Sequence, residues 1–145
     1  MLETIIYVSR SQIALADARS EVANIVATAS QANRLADISG ALIYTGGHFA
    51  QVLEGASEQL EPLMSRILAD RRHREVNILL RVPLGDRRFA QWAMAYSGPS
   101  HFVDRHIAPF TCLRRGGSAC VLAADRILGI ATRFIARQPP TPALS

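Results

Sequence analysis

No lysine occurs in the 145 residues: all 16 basic side chains are arginine, dispersed apart from short clusters at Arg71-Arg72, Arg87-Arg88 and Arg114-Arg115. Such uniformity reads as compositional bias rather than function. The net charge of +4 lacks a basic stripe, so it permits nucleic acid without requiring it. Cysteine is nearly absent. Cys112 and Cys120 have neither paired spacing nor a Cys/His cluster beside them, which argues against a disulfide framework and a metal site. The N-terminus has no basic leader, carrying Glu3 instead, and its apolar run Ile5-Ile6-Tyr7-Val8 is too short for a signal core or a membrane span. These absences predict a soluble, reduced, cytoplasmic protein with no membrane partner. No internal repeat or low-complexity region is present.

What remains is rich in core-forming residues: 49% of the chain is hydrophobic, and its 145 residues are long enough for one domain with a proper interior and short for two. Residues 2–9 alternate as a strand, with Ile5, Tyr7 and Ser9 on one face and Ile6 and Val8 on the other, so both faces are covered. Asp17 is placed to cap a helix to about Asn33, burying Val22, Ile25, Val26 and Ala29. Residues 38–44 and 48–54 read as a hairpin about Gly46-Gly47. A second helix starts near Ser57, with Pro62 implying an irregular first turn, and buries Leu60, Leu63, Met64, Ile67 and Leu68 before Asp70. Residues 76–82 form a strand, and residues 89–96 a last one with Trp92 and Met94 on one face.

The order βαββαββ predicts an α+β, ferredoxin-like sandwich. It has a five-stranded mixed sheet with the first and third strands adjacent and both helices on one face. A short helix broken at Pro109 and a longer one from Gly116-Gly117-Ser118 to about Arg137, with Val121, Ala124, Ile127, Leu128, Ala131, Phe134 and Ile135 in its stripe, would cover the other face. Residues 138–145, with three prolines, read as a frayed tail.

One stretch draws the chemistry together. In Gly46-Gly47-His48-Phe49-Ala50-Gln51-Val52-Leu53-Glu54-Gly55, Gln51 shares a strand face with Phe49 and Leu53. An amide pointed into an interior needs polar partners. If the first and third strands are adjacent, the inward Tyr7 is within its reach, with Asn33 nearby at the end of the first helix. The helices, lined by Ile25 and Ile67, could leave a flat apolar slot between them.

These residues resemble a known family. Tyr7 in Ile-Ile-Tyr-Val-Ser, Asn33 followed by Ile38-Ser39-Gly40-Ala41-Leu42, Phe49-Ala50-Gln51-Val52-Leu53-Glu54-Gly55, Asp70-Arg71-Arg72-His73 and Arg88-Phe89-Ala90-Gln91-Trp92-Ala93-Met94 are similar, in order and separation, to the BLUF domain, a blue-light sensor using FAD. The resemblance spans roughly residues 2–97. It implies a sensor domain over 1–97, a C-terminal helical extension over 98–137 for output or oligomerisation, and non-covalent FAD, with FMN or riboflavin as substitutes. Ile25 and Ile67 would pack the ring. Asn33 would read its pyrimidine-like edge, Asp70, Arg72 and His73 would ring its polar rim, and Gln51 would link it to Tyr7. The photochemical pair is then Tyr7 and Gln51, and Trp92 and Met94 would relay the change to the C-terminal helices. Ala29 and Ala32 depart from relatives with polar residues there, which bears on colour and lifetime.

Taken singly, Tyr7, Gln51 and Asn33 read as a strand tyrosine, a core amide and a helix C-cap. Ile25, Ile67, Trp92 and Met94 read as core, His73 as a surface residue, and Glu54 as a charge near a turn. The joint pattern favours a photosensor rather than an enzyme, a homo-oligomer without an appended effector that signals to a downstream protein. The competing reading is a flavin-free ferredoxin-like module binding RNA or protein, though it lacks the exposed aromatic pair of a sheet-face RNA binder. A small hydrolase has no nucleophile and base pair to support it.

Overall fold

Alternation along the first strand sets the layers. In the computed structural model, which describes residues 1–97, 101–114 and 116–135, Ile5 and Tyr7 of β1 (Leu2–Ser11) enter one apolar layer, while Ile6 and Val8 enter the opposite one. The following elements are α1 (Ala18–Leu35), β2 (Ser39–Tyr44), β3 (His48–Ala56), α2 (Ser57–Ala69), β4 (His73–Pro83), β5 (Ala95–Ser97), α3 (His101–Ile107) and α4 (Ser118–Ile135). The five strands run in the order β4-β1-β3-β2-β5. All neighbours are antiparallel except β2 and β5, so the sheet is mixed, as the pattern predicts.

Helices α1 and α2 cover the Tyr7 face through Val22, Leu60 and Met64. Helices α3 and α4 cover the other through Val103, Ile107, Ala124, Ile127 and Ala131. Each large aliphatic residue so buried contributes about 1.5–3 kcal/mol relative to exposure. Gly40 permits a close strand approach: a Cβ there would lie 2.1 Å from the Val52 carbonyl oxygen. The β2–β3 turn contains Gly46 at φ +100°.

Several expectations need correction. Asp17 occupies the N-cap position of α1, but its side chain makes no capping bond: it ends a 3-10 turn in helical backbone geometry, and its carbonyl accepts from Ser20 Oγ at 3.2 Å. Asn33 is not a left-handed C-cap, because α1 continues to Leu35 and the positive φ falls on Asp37, at 55°. Pro62 lies inside a continuous α2, where the carbonyl it leaves unpaired, that of exposed Glu58, can face water. Leu68 is 54% exposed and Val121 54% exposed. The buried stripe of α4 instead begins at Cys120 and uses Ala123, small residues that let the helix approach the sheet.

The last strand is the largest difference. β5 has 3 residues, and Phe89 to Met94 form turns and bends rather than strand. Without strand alternation Trp92 and Met94 part company: Trp92 packs with the α3/α4 layer and Met94 with the α1/α2 layer. The final helix is described to Ile135, so its expected end at Arg137 and the tail at 138–145 lie outside the described residues.

Two polar fastenings hold the C-terminal elements to the sheet. Asn77 on β4 donates to the carbonyls of Phe110 and Leu113 at 2.8 and 3.0 Å. Asp104 on α3 accepts from Thr45 Oγ1 and from His48 Nδ1, the latter at 2.9 Å. Desolvation pushes the Asp104 carboxyl up, but the hydrogen bonds from Thr45 and His48 outweigh it and hold the group below its ordinary value. A depressed folded value means that the carboxylate's contribution is complete above the unfolded range and is lost as pH falls through the folded one. Asp104→Ala should therefore raise amide exchange in residues 101–107 at neutral pH, and acid should do the same to the parent chain. Equal exchange in parent and variant at pH 7 would refute the fastening.

Candidate functional site

A cavity of about 280 Å³ opens between α1 and α2, near the lower end of the ~300–1,000 Å³ typical of small-molecule sites. Helical spacing builds its walls: Ile25, Ala29 and Ala32 from α1, Leu63 and Ile67 from α2. Its floor is the sheet, where register places Tyr7 and Leu42 directly across from Gln51 on either side. Tyr7, Leu42, Phe49 and Gln51 all line the cavity.

The floor carries the polar chemistry. The Tyr7 hydroxyl donates to Gln51 Oε1, and Gln51 Nε2 faces the Met94 sulfur at 3.6 Å. Tyr7 is 3% exposed. Burial, reinforced by the negative charge of Asp70, pushes its phenol well above the ordinary value, so the proton stays on oxygen in the resting protein. Asn33, 1% exposed, donates from Nδ2 to the Ala93 carbonyl at 3.0 Å. It thereby ties the end of α1 to the residue between Trp92 and Met94.

At the rim, Arg72 and Asp70 form a two-pronged pair, with Nη2 to Oδ2 at 2.6 Å and Nε to Oδ1 at 2.9 Å. Hydrogen bonding from Arg72 holds the Asp70 carboxyl below its usual range and lifts the guanidinium in turn. His73 corrects the surface reading: it is half-buried at the start of β4 and lines the cavity. Its Nε2 lies 2.6 Å from the Ile67 carbonyl, which can only accept, so Nε2 carries a proton. Nδ1 lies 2.7 Å from Ser9 Oγ, and the ring stands edge-on to Tyr7 and Phe49.

The residues expected from the sequence, Tyr7, Ile25, Asn33, Gln51, Ile67, Asp70, Arg72 and His73, thus surround a single cavity. Ala29 and Ala32 also line it. Trp92 does not, and Met94 reaches the site through Gln51. Thr28 and Arg66 also line it without having been singled out, as do Leu42 and Leu63, which the sequence marked only as motif and core residues. Helical spacing would have found Thr28 from Ile25, Leu63 from Ile67 and Arg66 from Leu63, and hairpin register would have found Leu42. Glu54 is not a charge near a turn: it is fully buried, accepting from Ser39 Oγ and the Arg88 and Phe89 amides.

Apolar helical walls, with a phenol and a carboxamide on the sheet floor and a second carboxamide near the end of α1, suit a planar heteroaromatic ring carrying both donors and acceptors at its edge. Among the described residues no group of His, Cys, Asp or Glu could hold a metal ion, and no helix is long and apolar enough to cross a membrane.

Comparison with known proteins agrees with that geometry. A family model described as sensors of blue-light using FAD matches residues 2–95. The blue light- and temperature-regulated antirepressor BluF of Escherichia coli (strain K12) is 35% identical over 94 residues, 65% of this chain and 23% of that protein. The photoactivated adenylate cyclase subunit alpha of Euglena gracilis is 32% identical over 90 residues, 62% of this chain and 8% of its own length. The matched region is thus a small part of both relatives. Among solved structures, dark-state BlrB, a BLUF protein, is 30% identical with a TM-score of 0.68, covering 89% of this chain and 96% of that one. Photo-activated BlsA shares the fold at 23% identity, with a TM-score of 0.72 over 98% and 99% of the two chains.

Proposed function

Because this chain belongs to the BLUF family of blue-light sensors using FAD, we propose that it is a photoreceptor in which Tyr7 and Gln51 convert light absorption into a rearranged hydrogen-bond network. The observation that carries the reading is the buried Tyr7 hydroxyl donating to Gln51 on the floor of the interhelical cavity. The ligand is FAD held without a covalent bond, with FMN or riboflavin as substitutes. Ile25 and Ile67 would pack its ring, Asn33 would pair with the edge that offers both a carbonyl and an N–H, and Arg72, with Asp70 and His73, would border the rim.

When bound, a flavin supplies a ring that absorbs blue light and becomes a strong oxidant on excitation. Tyr7 is the oxidisable side chain on the cavity floor, and its proton has a ready acceptor in Gln51 Oε1. A proton arriving at that amide, and returning, allows the amide to rotate or tautomerise. A donor then faces where only an acceptor stood. The Gln51 contact to the Met94 sulfur is disturbed by the same movement.

Residues 92–94 pass from one side of the sheet to the other, so a displaced Met94 is felt at Trp92 and hence at α3 and α4. We take residues 1–97 as the sensor and 98–137 as the output extension, signalling to a downstream protein or a second copy of the chain. The chain is a sensor and not an enzyme.

Absorption spectra before and after blue illumination test this. Flavin-loaded protein should shift reversibly to the red, and Gln51→Leu should bind flavin yet show no shift. A normal shift in that variant, or a chain that stays colourless after flavin supplementation, would overturn the reading.

A further inference from the structure

Resting on the reading of residues 98–137 as an output extension, we propose that the outer face of α4 pairs antiparallel with the same face of a second copy of this chain. Helical spacing separates the two sides of α4 cleanly. Cys120, Ala123, Ala124, Ile127, Leu128 and Ala131 are buried in the layer that covers the sheet. Ser118, Leu122, Asp125, Arg126, Gly129 and Arg133 form an exposed stripe on the opposite side. Leu122 is 66% exposed, and Val121 at the edge of the stripe is 54% exposed.

Two features of the stripe have no explanation within the described residues. Asp125 and Arg126 make no ion pair there. Gly129 occupies a helix interior, where only proline is less favourable, yet a Cβ at that position would meet nothing within 4 Å. The protomer itself therefore does not require the missing side chain.

A two-fold axis crossing the stripe between residues 125 and 126 accounts for both. It sets Asp125 of each copy level with Arg126 of the other, and Leu122 level with the other copy's Gly129. A large apolar side chain then meets a position with no side chain, and opposite charges meet twice. A parallel pair would instead set Asp125, Arg126 and Arg133 each against itself, and like charges repel. Antiparallel helix dipoles also attract. The stripe is complementary to itself in one orientation only, which selects a second copy as its occupant. One pair of 18-residue helices buries less than the ~1,200–2,000 Å² of stable interfaces, so the dimer is weak, with a dissociation constant on the order of 100 µM.

The test is sedimentation equilibrium on the full chain with flavin, in the dark, from about 1 µM to about 1 mM. The mean mass should rise toward twice that of the monomer. Asp125→Arg and Arg126→Asp lie at exposed positions that folding tolerates. Each alone should raise the dissociation constant about tenfold, because two symmetry-related attractions become repulsions. The two together should return most of the lost affinity, since the charges are then exchanged and complementary again. A mass that stays monomeric throughout, a dimer indifferent to either reversal, or one not rescued by combining them would overturn the proposal. Absorption spectra of the same samples after blue light judge the photosensor reading separately, so either can fail without the other.

Discussion

Tyr7→Phe is expected to keep its flavin and lose the entire light-induced red shift. The substitution removes one oxygen from a ring that is 3% exposed, so its edge-on packing against His73, which in turn meets Phe49, survives. What disappears is the donor to Gln51 Oε1, together with the easily oxidised phenol. Retention follows because the cavity's apolar walls, Ile25 and Ile67, are untouched. Loss follows because, among the described residues, no other oxidisable side chain combines a place on that floor with a hydrogen bond to the amide. Difference spectra under blue light measure the shift, and flavin released on denaturation measures occupancy. A variant that holds flavin and still shifts by the parent's amount would remove Tyr7 from the mechanism.

Glu54→Leu is expected to cost about 3 kcal/mol of stability, since charge-assisted hydrogen bonds and the donors stranded by their loss are each worth ~1–3 kcal/mol. The carboxylate is fully buried and is shared by three donors: Ser39 Oγ at 3.0 Å, Arg88 N at 2.7 Å and Phe89 N at 2.9 Å. Arg87 reinforces the node, donating to Ser39 Oγ at 3.0 Å and to the Asp37 carbonyl at 2.7 Å. Leucine would fill the space and leave two backbone N–H groups and a hydroxyl unsatisfied, which an apolar neighbour cannot repair. The segment between β4 and β5 would lose its attachment at the point where it turns toward Trp92 and Met94. Urea unfolding should show the lower midpoint, and an unchanged midpoint would mean that the buried carboxylate contributes nothing net.

The fold was legible because its signals are local and repeated. Alternation on both faces of residues 2–9 specified a central strand, and two amphipathic helices specified the layer above it. Gly46-Gly47 marked the hairpin that brings Leu42 beside Gln51. The cavity was legible for a different reason: each lining side chain sits at a predictable step along its own element, so placing Tyr7, Ile25, Asn33, Gln51 and Ile67 required only periods of two and 3.6.

Where local pattern gave no guide, expectation failed. Residues 89–96 alternate like a strand, yet Glu54 and Arg87 capture the chain preceding β5 through contacts distant in sequence, and Trp92 and Met94 end on opposite sides. Glu54 itself looked like a surface charge because its partners are backbone amides 34 and 35 residues away. The pairing of Asp104 with His48 was invisible for the same reason, with 56 residues between them.

The brevity of β5 has a mechanical corollary. Among the described residues its pairing with β2 extends over Ala41↔Ala95, Leu42↔Tyr96 and Ile43↔Ser97, at the margin of the sheet. A seam so short unzips at little expense compared with the six-pair β2–β3 ladder beside it and the longer β1–β3 ladder beyond. In the proposed relay, strain arriving from residue 94 would therefore meet a compliant border rather than a stiff plate, and the sheet would yield first where the chain departs for its terminal helices.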